Sequence, residues 1–202
     1  MTCEKSGPGD RNAARRRSRG YRMLALVVAV ASLGGCRTQL TPPAYRTSRD
    51  ALFYLHQAPD ASVAVSPFSG RQLRTLWLDQ CRGLRGHRAG FLADDFSYIR
   101  NAFVQELRLA RLYSETGAVT LSGNIDWIRL NRVAPFDGRW SIHMTLRSTN
   151  GRSIAVQEDY KFDFDGLFGQ AGCRSAVRAL EPAVRRLIDK TVTHPEFRSL
   201  LA

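Results

Sequence analysis

The amino-acid sequence predicts an α+β fold: a two-layer sandwich of a mainly antiparallel sheet with two helices on one face, in the order βαβββα. Three observations carry this expectation. Phe96, Ile99, Phe103, Leu107 and Ala110 recur at intervals of three and four, which puts one apolar stripe on a helix. After Gly117 the period changes to two, as a half-buried strand requires. Asn150-Gly151 then separates two alternating runs, a hairpin signal. With 202 residues and 44% apolar composition, the chain supports one packed domain plus appendages.

Taken in order, SVAVSPF (62–68) alternates as a short strand that Pro67 ends. LRTLWLDQ (73–80) is a second strand candidate, followed by CRGLRGHRAGFLA, a Gly- and Arg-rich loop. Asp94 and Asp95 offer an N-cap for a helix from Phe96 to Leu112, which turns Arg100, Gln105, Glu106, Arg108 and Arg111 toward water. In the next strand Val119, Leu121, Gly123, Ile125 and Trp127 share one side, and Thr120, Ser122, Asn124 and Asp126 the other. Past Trp127 the apolar positions jump to Ile128 and Leu130, which asks for a bulge or for a strand long enough to twist out of the sheet. Trp140, Ile142, Met144 and Leu146 form the following strand; Ile154, Val156, Tyr160, Phe162 and Phe164 form its partner beyond a two-residue turn with positive φ twice. Cys173, Val177, Leu180, Val184 and Leu187 then share a face of a second helix, which Pro182 should kink or divide because it lacks an amide and clashes one turn back.

The front of the chain is of another kind. Met23–Leu33 is an eleven-residue run broken only by Ser32. As a helix it covers about half of a roughly 30 Å hydrocarbon core, too little to span it. RRRSRGYR precedes it and small residues close it, which is the order of charged, hydrophobic and cleavage regions in a secretory signal. The expected organisation is therefore residues 1–35 as signal peptide, 36–60 as N-terminus and tether, and 61–202 as a single α+β domain. RRRSRGYRM lacks the apolar pair usual in twin-arginine signals, so the export route stays open.

Leu33, Gly34, Gly35 and Cys36 resemble the lipobox of bacterial lipoproteins. The resemblance implies that the Cys36 thiol takes a thioether-linked diacylglycerol, that cleavage frees its amino group, and that the mature chain begins there with acyl chains attached. Stable anchoring takes about two such chains. Arg37, in place of the aspartate associated with inner-membrane retention, points by the same resemblance to the periplasmic face of the outer membrane rather than the inner membrane.

The net charge of +12 first suggests nucleic acid or an anionic membrane. Seven basic residues against two acidic lie before Cys36, and 23 against 16 beyond it. Those later arginines are scattered singly and form no nucleic-acid arm. Of the four cysteines, Cys3 leaves with the signal and Cys36 carries lipid, so Cys81 and Cys173 remain. In an oxidising periplasm they are expected to form a structural disulfide, with two separate buried thiols as the alternative. A bridge across so long a loop contributes up to about 4.5 kcal/mol.

Motifs for chemistry are missing. His56, His87, His143 and His194 have no partner at metal-ligand spacing, and GxSxG, P-loop and dinucleotide turns are absent. Ser69, Ser97 and Ser114 have no evident base. Glu158, Asp159, Asp163 and Asp165 in EDYKFDFDG suggest calcium or paired carboxylates, but alternation puts Asp159, Lys161, Asp163 and Asp165 together on an outward face. The expectation is no enzyme, no metal and no cofactor.

The lipobox, the YIRNAFVQELRLARLY helix, GRWSIHMTLRSTNGRSIAVQEDYKF and LEPAVRRLIDKTVTHPEF together resemble small bacterial envelope lipoproteins, both the YajG-like group and the group sharing the βαβββα arrangement of the TolB N-terminal domain and LptE. That resemblance implies a membrane-anchored interaction, assembly or transport-accessory factor with an envelope partner and no nucleic acid. Arg82, Arg85 and Arg88 are the candidate contacts to an anion or partner. The alternative is a small or lipidic ligand held in a cleft between helices and sheet, walled by Trp127, Trp140 and Tyr160.

Overall fold

The computed structural model describes residues 41–58, 61–70, 96–134, 136–165 and 170–202. The signal peptide, the lipobox with Cys36, the 73–80 strand candidate, Cys81, Arg82, Arg85, Arg88 and the Asp94–Asp95 cap all lie outside these residues. The described elements are α1 (Arg49–His56), β1 (Val63–Val65), β2 (Ser69–Gly70), α2 (Ser97–Leu109), β3 (Val119–Ala134), β4 (Asp137–Ser148), β5 (Ser153–Asp163), α3 (Gln170–Val192) and a closing 3-10 turn, Phe197–Leu200.

The fold is α+β, three helices on a mixed sheet of five strands. β3, β4 and β5 form the expected antiparallel meander, with Leu121 opposite Ser148 and Trp140 opposite Tyr160. β1 and β2 are two pieces of one edge, both parallel to β3, with Val63 opposite Val119 and Ser69 opposite Asn124. A parallel pair needs a crossover connection, and α2 lies in it.

The inward side of the sheet is apolar because the two-residue period puts Leu121, Ile125, Ile142, Met144 and Leu146 there, all 2% exposed or less. α2 contributes Ile99, Phe103 and Leu107 to the same core, and α3 contributes Leu180, Val184, Leu187 and Ile188. Burying one such side chain is worth about 1.5–3 kcal/mol. Trp140 is fully buried and its indole N–H donates to the Ala176 carbonyl at 2.8 Å, joining β4 to α3. The C-terminal turn is held by Ser148 Oγ, which donates to the Leu200 carbonyl at 2.7 Å, and by Asn150 Nδ2, which donates to the Ser199 and Ala202 carbonyls at 2.8 Å.

Several expectations change. Residues 49–56, assigned to the tether, form α1; Ser48 caps it by accepting from the Ala51 N–H, and Ala51 and Leu55 are buried in the common core. α3 runs unbroken through Pro182. The 149–151 turn has positive φ only at Gly151 (89°), with the Gly151 N–H on the Ser148 carbonyl, so a longer loop replaces the two-residue turn. The bulge comes earlier than expected: the β3–β4 register shifts between Ile125 and Trp127, with Asp126 the extra residue. β5 is the far edge of the sheet, and there Lys190 Nζ donates to the Gln157 carbonyl at 3.1 Å and pairs with Glu158 at 2.7 Å.

Candidate functional site on the outer face of the sheet

The bulge at Asp126 determines what the outer face carries. An extra residue in one strand lets two successive side chains point to the same side. Trp127 therefore leaves the apolar row to stand opposite His143, and Asp126 stands beside it. The Trp127 and His143 rings stack at 5.6 Å with 13° between planes, and the Arg129 guanidinium sits 5.1 Å from the Trp127 ring.

Asp126 organises the cluster. Its Oδ2 accepts from Thr145 Oγ1 at 2.7 Å and lies 2.8 Å from His143 Nδ1; its Oδ1 accepts from Asn124 Nδ2 at 2.5 Å. Partial burial pushes this carboxyl up, but the hydrogen bonds from Thr145, His143 and Asn124 outweigh it, and the net shift is downward. Asp159 on β5 is also held low, by the Ser141 hydroxyl first and by Gln157 after it. Ser69 Oγ donates to Asn124 Oδ1 at 3.3 Å, and a cavity of about 520 Å³ opens between Ser69, Gly70, Asn124 and Asp126. The cluster is thus a preorganised carboxylate, imidazole, indole and guanidinium on one sheet face. It presents hydrogen-bonding groups and a cation, and the Thr145 hydroxyl lies on the same Asp126 oxygen as His143.

A second constellation lies under the helices. Glu106 is fully buried, although its position on α2 suggests water. Its Oε1 accepts from the Tyr45 hydroxyl and the Ser48 N–H, both at 2.7 Å. Glu181 accepts from the Arg46 N–H at 3.2 Å, and the Tyr98 hydroxyl donates to the Pro43 carbonyl at 3.0 Å. Residues 43–48 are thereby strapped across α2 and α3. Burial raises the Glu106, Asp189, Tyr45 and Tyr98 groups above their ordinary values. Arg100 also departs from its expected place in water: its guanidinium donates to the Val65 and Ser66 carbonyls at 2.8 and 3.1 Å, closing the end of β1.

The other sequence-derived candidates are dispersed. Cys173 is buried on α3 and disulfide-bonded, with its partner outside the described residues. Trp127 is on the outer face and Trp140 and Tyr160 on the inner, so the three do not wall one cleft. Asp159, Asp163 and Asp165 are exposed while Glu158 is buried against Lys190. Among the described residues no group of three or more His, Cys, Asp or Glu is placed to hold a metal, and no helix is long and apolar enough to cross a membrane. His143 is drawn into the cluster; its alternation with Ile142 and Met144 indicated the face but not the partner.

Fold and cluster define a small α+β domain with helices on one sheet face and a polar, aromatic patch on the other. No family model matches the chain, and no curated protein sequence is similar to it. Among solved structures it is similar to XCC0632 from Xanthomonas campestris, described under the family model DUF330, with a TM-score of 0.46, 11% identity, and coverage of 75% of this chain and 93% of that one. It is also similar to the hypothetical protein CT253 from Chlamydia trachomatis, with a TM-score of 0.39, 10% identity, and coverage of 71% and 99%.

Proposed function

We propose that this chain is a periplasmic lipoprotein, anchored through Cys36 to the outer membrane, that works as a non-enzymatic interaction, assembly or transport-accessory factor of the bacterial envelope. Its class is that of the small envelope lipoproteins resembling YajG and the TolB–LptE group. The observation that carries the reading is the outer-face cluster of Asp126, Trp127, Arg129 and His143, held rigid by hydrogen bonds and stacking. Aromatic and arginine side chains of this kind dominate the energetics of protein interfaces. In this reading Cys81 is the partner of Cys173, and Arg82, Arg85 and Arg88 extend the contact surface.

The test is site-specific photocrosslinking from position 129 in intact cells, with the acyl mass on Cys36 measured in the same preparation. One envelope protein is expected to recur in the adducts and to disappear in Trp127→Ala. Lipidated protein that yields no recurrent adduct overturns the interaction role.

A ligand-binding reading draws on a different observation. A cavity of about 440 Å³ lies between the ends of α1 and α2, lined by Leu55, Ala61, Ala110 and Leu112 with His56 and Arg111 at its polar side. Arg111 holds φ at 62°, a strained value for a side-chain-bearing residue. Retention of a small amphiphile by wild-type protein and its loss in Ala110→Trp would favour this reading.

A further inference from the structure

The strap of residues 43–48 leaves only a short length of chain between the domain and Cys36. Pro43 is the first strapped residue, bonded to Tyr98 on α2, and it is seven residues beyond Cys36. Seven residues reach at most about 25 Å, whereas a domain of about 150 residues is roughly 40 Å across. The tether is shorter than the body it holds. Along the chain the strap is the part of the domain nearest Cys36, and α1 follows it directly.

α1 presents a surface suited to that position. Its Ala51 and Leu55 are buried, yet Phe53 is 65% exposed and Tyr54 44%, with their rings edge-to-face at 5.7 Å. Two adjacent aromatics this exposed on a two-turn helix have no packing role in the core. Arg49 stands one turn before Phe53 on the same stripe, and Arg46 is exposed just ahead of the helix, against the single acid Asp50. Aromatic rings flanked by guanidinium groups match the headgroup zone of a bilayer, where rings sit at the polar boundary and arginines meet anionic lipids.

We propose that the outward face of α1, centred on Phe53 and Tyr54, docks into the headgroup region of the membrane that holds Cys36. This rests on the lipidated Cys36 proposed above. The strap through Glu106 and Glu181 then sets how the body stands on the membrane, because it joins α1 rigidly to α2 and α3.

The test uses the full lipidated chain reconstituted into vesicles of phosphatidylethanolamine with a minority of phosphatidylglycerol, carrying bromine on the upper acyl chain. Phe53→Trp adds an indole at an exposed site over the background of Trp77, Trp127 and Trp140, and an unchanged melting curve confirms the fold. Its added emission is expected to shift to the blue and to be quenched about twofold relative to bromine-free vesicles. Acylated protein that floats with the vesicles while the added emission stays unquenched overturns the docking and leaves the anchor standing; the ring pair would then serve a protein partner. A chain without acyl mass on Cys36 that does not float overturns the anchor and the docking with it.

Discussion

Glu106 shows how a single side chain escapes a periodic reading. On α2 it neighbours Gln105 and Arg108, and amphipathic spacing sends all three to water. Its reason for burial is Tyr45, 61 residues away, together with the Ser48 N–H that nothing else in the described contacts satisfies. Glu106→Ala orphans that N–H, and a loss of about 1–3 kcal/mol is expected in urea unfolding. The pH dependence has a definite sign. Burial raises the folded-state value of Glu106, with Asp189 adding to it and the two hydrogen bonds offsetting part. A carboxyl raised above its unfolded value, about 4.3 for Glu, binds its proton more tightly when folded. Its contribution is complete below that value and is lost as pH climbs through the folded one. Glu106→Gln cannot ionise and keeps an acceptor oxygen, so its unfolding midpoint should fall less steeply than wild type as pH climbs above the ordinary carboxyl value of about 4.3. Asp189, raised by burial in the same direction, supplies the slope that remains.

At the level of elements, whatever depends on local period was legible: the α2 stripe, the three meander strands and the apolar face of α3 all lie where the spacing puts them. Features fixed by contacts between distant segments were not. α1 is eight residues long with Phe53 and Tyr54 turned outward, so its apolar residues make no readable stripe. Trp127 is apolar and in phase with Ile125, and only the register opposite His143 shows that the bulge precedes it. Gly123 is a case where register and packing agree: a Cβ there would meet the Phe68 ring at 2.7 Å, so the ring lies directly on the strand. Gly123→Ala is expected to displace Phe68 and to cost about 1–3 kcal/mol, seen as a lower thermal midpoint. The companion Gly151→Ala should also destabilise, but through its positive φ rather than through crowding, since nothing lies near the Cβ it would gain.

For the whole molecule, the bridge at Cys173 adds a covalent restraint to the packed core. α3 packs on β4 and β5 and contributes much of the core, and a crosslink from it to a distant segment restricts the unfolded chain. If Cys81 is the partner, Cys81→Ser and Cys173→Ser should each lower stability by about 2–4 kcal/mol, and the double variant no further than either single one. Cys36→Ser should leave the same melting curve unchanged. A peptide map without reductant checks the pairing directly.

The amine of Lys190 already occupies the Gln157 carbonyl and the Glu158 carboxylate at the rim of β5. A foreign strand approaching there must displace a cation before it can form its first rung. Where such domains are crowded and collide often, that cation lets many copies sit side by side without zipping into a continuous ribbon.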